Sequence, residues 1–304
     1  MSMMERSLIH RNYGVLHRTM KSKLRKNIEI ILKGYIIGSS MSVPGVSGGT
    51  MAILLGIYDK LISSISNFLK DIKGNTIFLF KFCLGSVLGI GSLAFVISWL
   101  LESFPVPVSF FFLGAVIGGI PALYKKTKES KLTAVSGLYF LIGLVLVISI
   151  GFIPTGNIDI SNSSGFTQYL MILVTGIIIA LALILPGIST SHMLLVLGMY
   201  DSMLAAIKGF DIMYVGVLGV STVIGIFLIT KPIEWTMNKF PHQTYCLIIG
   251  FVLGSTSEIF KDKIIPAVPD GAGISWWAVT AVISIVTFVL GYFSIMSLSR
   301  FSND

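Results

Sequence analysis

Val43 to Asp59 read VPGVSGGTMAILLGIYD, and Leu185 to Asp201 read LPGISTSHMLLVLGMYD. Pro44, Gly45, Ser47, Met51, Leu55, Gly56, Tyr58 and Asp59 each recur 142 positions on, as Pro186, Gly187, Ser189, Met193, Leu197, Gly198, Tyr200 and Asp201. Proline stops a helix because it lacks an N–H and biases the preceding residue away from helical angles; glycine permits a tight turn. Two apolar runs are therefore broken at the same place by the same residues, and the fold depends on what the chain does there.

The surrounding sequence sets the solvent. The chain has 304 residues, 54% hydrophobic and 12% charged, with a mean hydropathy of +0.88. Ile77 to Leu101, Ala134 to Ile153 and Trp276 to Ile295 each exceed the ~18 apolar residues that cross a bilayer as a helix. They are continuously apolar, where barrel strands would alternate. The expected class is an all-α integral membrane protein.

A second match fixes the organisation. Phe104-Pro105 with Gly114 and Gly118 returns as Phe240-Pro241 with Gly250 and Gly254, 136 positions later. The blocks keep their order, so the chain divides into a basic tail (1–27), a first membrane repeat (28–154), a loop-forming linker (155–165) and a second repeat (166–304). The glycines of this match, with Gly85 and Gly89, have the small-xxx-small spacing of packed membrane helices.

The net charge of +8 does not indicate nucleic acid, because the basic residues flank apolar segments and form no separate domain. They report topology instead. If the first Pro-Gly segment crossed the membrane, Lys60, Lys70, Lys73, Lys125, Lys126, Lys128 and Lys131 would all lie outside, against the positive-inside rule. If it turns back, all seven are cytoplasmic, as are Lys231, Lys239 and Arg300, and only Lys208, Lys261 and Lys263 lie outside. Each half is then a re-entrant helical hairpin plus three crossings, near 75–101, 108–124 and 133–153, then 212–230, 243–260 and 275–297. Three is odd, so the halves have inverted topology, both termini are cytoplasmic, and the hairpins enter from opposite faces.

Irregular backbone at membrane depth is tolerated where it is buried in protein or lines a watery cavity. Free N–H groups and the positive end of a helix beside small hydroxyl residues suit an anion such as phosphate. Ser47, Gly48, Gly49 and Thr50, with Ser189, Thr190, Ser191 and His192, are the candidate contacts. The alternative is architectural, with the hydroxyls capping their own helices. Asp59 and Asp201 read as N-caps of the amphipathic stretches after them or as proton-relay groups. Glu258 and Lys81 lie near helix ends and can snorkel to the interface, and Glu258 becomes a relay candidate if it faces a cavity. No His, Cys and carboxylate set has metal-ligand spacing, SGGT lacks the lysine of a nucleotide loop, and Cys83 and Cys246 read as packing residues. No metal or cofactor is expected.

On the paired Pro-Gly-x-Ser blocks, the chain resembles the bacterial polyprenyl-phosphate transporter family (PopT), over residues 28 to 297. The resemblance implies an undecaprenyl-phosphate flippase in the bacterial cytoplasmic membrane. Such a protein returns the lipid carrier of cell-wall polymers from the outer to the cytoplasmic leaflet, with the phosphate at the two turns, the tail in lipid, and coupling to protons open. Its partners are the lipid and the bilayer, and oligomeric state is left open. Two alternatives stand beside it. One is a transporter of another small anion; the other is a membrane undecaprenyl-pyrophosphate phosphatase, a class that also uses inverted repeats and a Pro-Gly-x-Ser turn. Here Gly48 and Thr190 follow the serines, and no arginine lies between Arg25 and Arg300, so a pyrophosphate would lack its cation clamp.

Overall fold

The computed structural model describes residues 24–41, 46–127, 133–155 and 165–301, with the side chains of 299–301 excepted. Pro44, Gly45, Lys128, Lys131, most of the basic tail and most of the linker lie outside the described residues. Among those described there is no strand.

The first half comprises α1 (24–40), α2 (Gly48–Leu54), α3 (Tyr58–Ser66), a 3-10 turn (Phe68–Lys70), α4 (Ile72–Ser103), α5 (Pro105–Lys126) and α6 (Ala134–Gly151). The second runs α7 (Phe166–Ile184), α8 (Thr190–Val196), α9 (Tyr200–Lys208), α10 (Ile212–Lys239), α11 (Pro241–Gly254), α12 (Thr256–Ile259) and α13 (Ile274–Phe301). The repeat extends to local geometry. α2 and α8 both have 7 residues, and α3 and α9 both have 9. Gly56 and Gly198 leave the short helices at φ +68° and +65°, left-handed angles that favour glycine. Aspartates cap the long helices that follow: Asp71 accepts from the Gly74 N–H, and Asp211 from the Tyr214 N–H. Phe104 and Phe240 then make the same bend, each before a proline at the first helical position.

Among the described residues six helices, α4, α5, α6, α7, α10 and α13, are long and apolar enough to cross a membrane. Their outward faces are apolar as well; Phe95 on α4, for example, is 83% exposed. A surface of that kind is stable against lipid, and the chain is a multi-pass membrane protein. Two of these lengths differ from expectation. α7, expected as one arm of a hairpin, has 19 residues and by length alone can cross. α11, expected to cross, has 14. Its helix is interrupted where Ser255, Thr256 and Ser257 turn their hydroxyls back onto the carbonyls of Val252, Leu253 and Gly254, competing with the backbone ladder. Helical backbone resumes in α12 and ends in a π-helical turn over Phe260–Ile264.

Glycines set the helix pairs. α1 lies on α4 so closely that a Cβ on Gly38 would sit 2.1 Å from the Ser86 carbonyl oxygen, and one on Gly85 2.1 Å from that of Ile31. α10 packs along α7 in the same way. The remaining pairs cross between halves. α5 packs on α13, where a Cβ on Gly114 would meet the Phe288 carbonyl at 2.0 Å. α11 packs on α6, where one on Gly250 would meet that of Phe140 at 2.2 Å. The last long helix of each half is thus held by the penultimate stretch of the other.

The chain also comes back on itself around each turn. Before the first turn, Asn27 of α1 accepts a hydrogen bond from Lys81 Nζ at 2.7 Å. After it, Lys60 of α3 lies over the Phe78 ring, 5.6 Å from its centroid. Both contacts are with the same end of α4. In the second half Ile172, before the turn, and Ala206, after it, share one cluster with Tyr214 and Leu218 at the start of α10. α8 and α9 are bent by 108°.

Candidate substrate site at the two turns

The two turns meet. Thr50, 1% exposed in the first turn of α2, accepts a hydrogen bond through Oγ1 from the backbone N–H of Gly187, at 2.9 Å. Gly49 lies against the main chain of Leu183, Ile184 and Pro186. Tyr58, beyond the far end of α2, donates its hydroxyl to the Ile184 carbonyl at 2.9 Å. α2 therefore spans the base of the second turn, fixed at both ends.

The paired residues do different work. Ser47 is the N-cap of α2, yet its hydroxyl makes no capping bond, and its buried oxygen has no partner among the described residues. An unpaired buried hydroxyl costs about 1–3 kcal/mol. Ser189, by contrast, caps α8 by accepting from the His192 N–H at 3.3 Å. Gly48 is half-buried, as are Ser189, Thr190 and His192, and Ser191 is exposed. His192 Nε2 lies 3.2 Å from the Ile150 carbonyl oxygen, which only accepts, so that nitrogen carries the proton of the bond. Thr50 thus reaches toward the second turn, while its counterpart His192 reaches toward the end of α6. After the first turn Ser47, Gly49 and Thr50 are buried, whereas none of the four candidate residues after the second is.

Other expectations change on inspection. Asp59 and Asp201 are not N-caps: Ile57 and Met199 hold those positions, and neither cap has a side-chain bond. The aspartates sit inside the first turn, where their charge favours the helix dipole. Asp59 pairs with Lys126 Nζ at 2.6 Å, whereas Asp201 is exposed. Glu258 does not reach an interface. It is 3% exposed and lies over Gly151, where the absence of a side chain leaves room for it, and its Oε1 has no partner among the described residues. Lys261 beside it donates to the Gly151 carbonyl at 2.8 Å. Cys246 is buried and Cys83 exposed.

A cleft of about 450 Å³ opens beside the first turn, among residues of α1, α4, α5 and α13 and reaching Met51 of α2. Its hydroxyls are already spent on carbonyls: Ser39 on Tyr35, Ser40 on Ile37, Thr287 on Pro107 and Ser294 on Leu290. The cleft therefore presents an apolar wall despite its serines. Sequence reasoning did not anticipate the Tyr58 to Ile184 bond or the Asp59 to Lys126 pair. Recurrence of Tyr58 and Asp59 in the repeat was the available signal.

A family described as undecaprenyl phosphate translocase-like matches residues 37–272. A protein of Vibrio cholerae serotype O1 named polyprenyl-phosphate transporter is 30% identical over 262 residues, covering 80% of this chain and 81% of that one. One of the same name in Staphylococcus aureus is 32% identical over 286 residues, covering 90% and 96%. No solved structure matches the chain.

Proposed function

The chain belongs to the undecaprenyl phosphate translocase-like family, and from that premise we propose that it is a flippase for undecaprenyl phosphate, working from the outer to the cytoplasmic leaflet in support of cell-wall polymer synthesis. The carrying observation is the seating of α2 on the second turn, with the Ser47 hydroxyl buried at its N-terminus and without a partner among the described residues. The phosphate binds there, among Ser47 to Thr50 and Ser189 to His192. The prenyl tail stays against lipid, and the apolar cleft beside Met51 gives it a dry path to the headgroup. Only the charge needs shielding during passage.

The same reading takes α1–α2 and α7–α8 as the arms of re-entrant hairpins entering from opposite faces of inverted repeats. Return of the chain to one end of α4 and one end of α10 favours it. The lysine-rich end of the molecule is cytoplasmic under the positive-inside rule, and His192 and Glu258, both against the end of α6, are the groups we assign to any proton coupling.

The test uses purified protein in liposomes supplied with undecaprenyl phosphate, undecaprenyl pyrophosphate or a soluble anion, with leaflet exchange and phosphate release both followed. Exchange of the monophosphate without release is expected. Release of phosphate, or uptake of the soluble anion without lipid exchange, overturns the proposal.

A further inference from the structure

Two cavities at one end of the molecule share Glu234 and Asn238 and so form one basin. One part, about 540 Å³, is lined by Asp59, Lys60, Lys125, Lys126 and Tyr245 among others. The other, about 850 Å³, adds Lys70, Lys231, Lys239 and Trp235. The two carboxylates in this basin are both engaged: Asp59 by Lys126 at 2.6 Å, and Glu234 by the Asn67 Nδ2 at 2.6 Å. Among the described residues, Lys60, Lys70, Lys125, Lys231 and Lys239 have no carboxylate within ion-pair distance. The basin holds a surplus of positive charge.

Its floor adjoins the turns. Asp59 follows Tyr58, whose hydroxyl is bonded to Ile184 at the base of the second turn. We infer that the basin is a second phosphate station, in which Lys126 exchanges its Asp59 partner for the phosphate monoester of the prenyl lipid. This rests on the reading that the chain carries a polyprenyl phosphate. A monoester carries about −1.5 to −2 charges at neutral pH and three acceptor oxygens, so it outcompetes a single carboxylate for an ammonium group, whereas a phosphodiester carries only one charge. Asp59 sets the strength of the station. It recaptures Lys126 when the headgroup leaves, which keeps the station from becoming a trap.

The full chain in phosphatidylcholine nanodiscs, carrying Ser47→Ala so that the turns contribute less, is titrated with farnesyl monophosphate. Farnesol, inorganic phosphate and phosphatidylglycerol serve as competitors. Lys126→Gln, and separately Lys60→Gln with Lys125→Gln, are expected to weaken binding by about tenfold, the loss of a charge-assisted contact. Asp59→Asn is expected to tighten it, a change of sign that damage to the fold does not produce. Displacement by inorganic phosphate with none by farnesol supports a site for the phosphate group itself. Unchanged affinity in the lysine variants overturns the station, and so does equal displacement by phosphatidylglycerol, which marks a general anionic-lipid surface. Lysine-dependent binding in a protein that exchanges no undecaprenyl phosphate supports the station and sinks only the flippase.

Discussion

Thr50 and Gly187 are joined by a hydrogen bond of 2.9 Å between parts of the chain 137 positions apart. The donor is a backbone N–H in a turn whose glycine has φ +85°, and the acceptor is 1% exposed. Thr50→Val keeps the shape and leaves that N–H without a partner, at a cost of about 1–3 kcal/mol. A lowered unfolding temperature in detergent is expected, with most of it recovered by Thr50→Ser. Equal melting of the valine and wild-type proteins contradicts the assignment.

The two serines separate stability from transport. The Ser47 hydroxyl has no partner among the described residues, so Ser47→Ala is expected to leave the melting temperature unchanged or slightly raised while slowing leaflet exchange. Ser189 holds a cap, and Ser189→Ala is expected to cost about 1 kcal/mol of stability. Melting curves and liposome exchange on the same preparations check both. Normal exchange in both variants and in their double reduces the turns to architecture.

Glycine substitutions divide by neighbour. Gly114→Leu places a side chain against the Phe288 carbonyl, where even a Cβ falls at 2.0 Å, and is expected to abolish accumulation of folded protein. A Cβ at Gly137 on α6 meets nothing within 4 Å, and Gly137→Leu is expected to be tolerated. Size-exclusion profiles of the two variants give the comparison.

Glu258 is buried, and its Oε1 has no partner among the described residues. Glu258→Gln keeps the shape and removes ionisation. Stability equal to or above wild type is expected. If Glu258 carries the coupling proton, exchange in the variant no longer responds to an imposed pH difference. A full response in the variant assigns the coupling elsewhere.

The repeated blocks announced the duplicated elements, down to the left-handed Gly56 and Gly198 and the Phe-Pro bends, because turns and caps are local chemistry. The glycine spacing also announced close helix contacts. What it left open was the partner: nothing near Gly114 or Gly250 says that α5 packs on α13 and α11 on α6. Asp59 read as a cap for the same reason, since its partner Lys126 is brought in by tertiary packing. Asymmetry at the site was visible as Thr50 opposite His192, but not its result, Thr50 buried on the second turn and His192 half-buried against Ile150. The break after α11 came from three consecutive hydroxyl residues turning onto their own helix, an effect that hydropathy does not register.

The exchange of long helices between the halves limits how the protein can move. α5 with α13, and α6 with α11, are clasped at glycines where main chain touches main chain, and each clasp ties one half to the other. Rocking the halves as two rigid blocks would have to open both clasps at once. Among the short elements between them, α2 and α3 are tied to the second turn through Thr50 and Tyr58, so the parts left to shift are α8 and α9, pivoting at Gly198. Movement in such a frame belongs to its small inner levers while the outer shell stays shut.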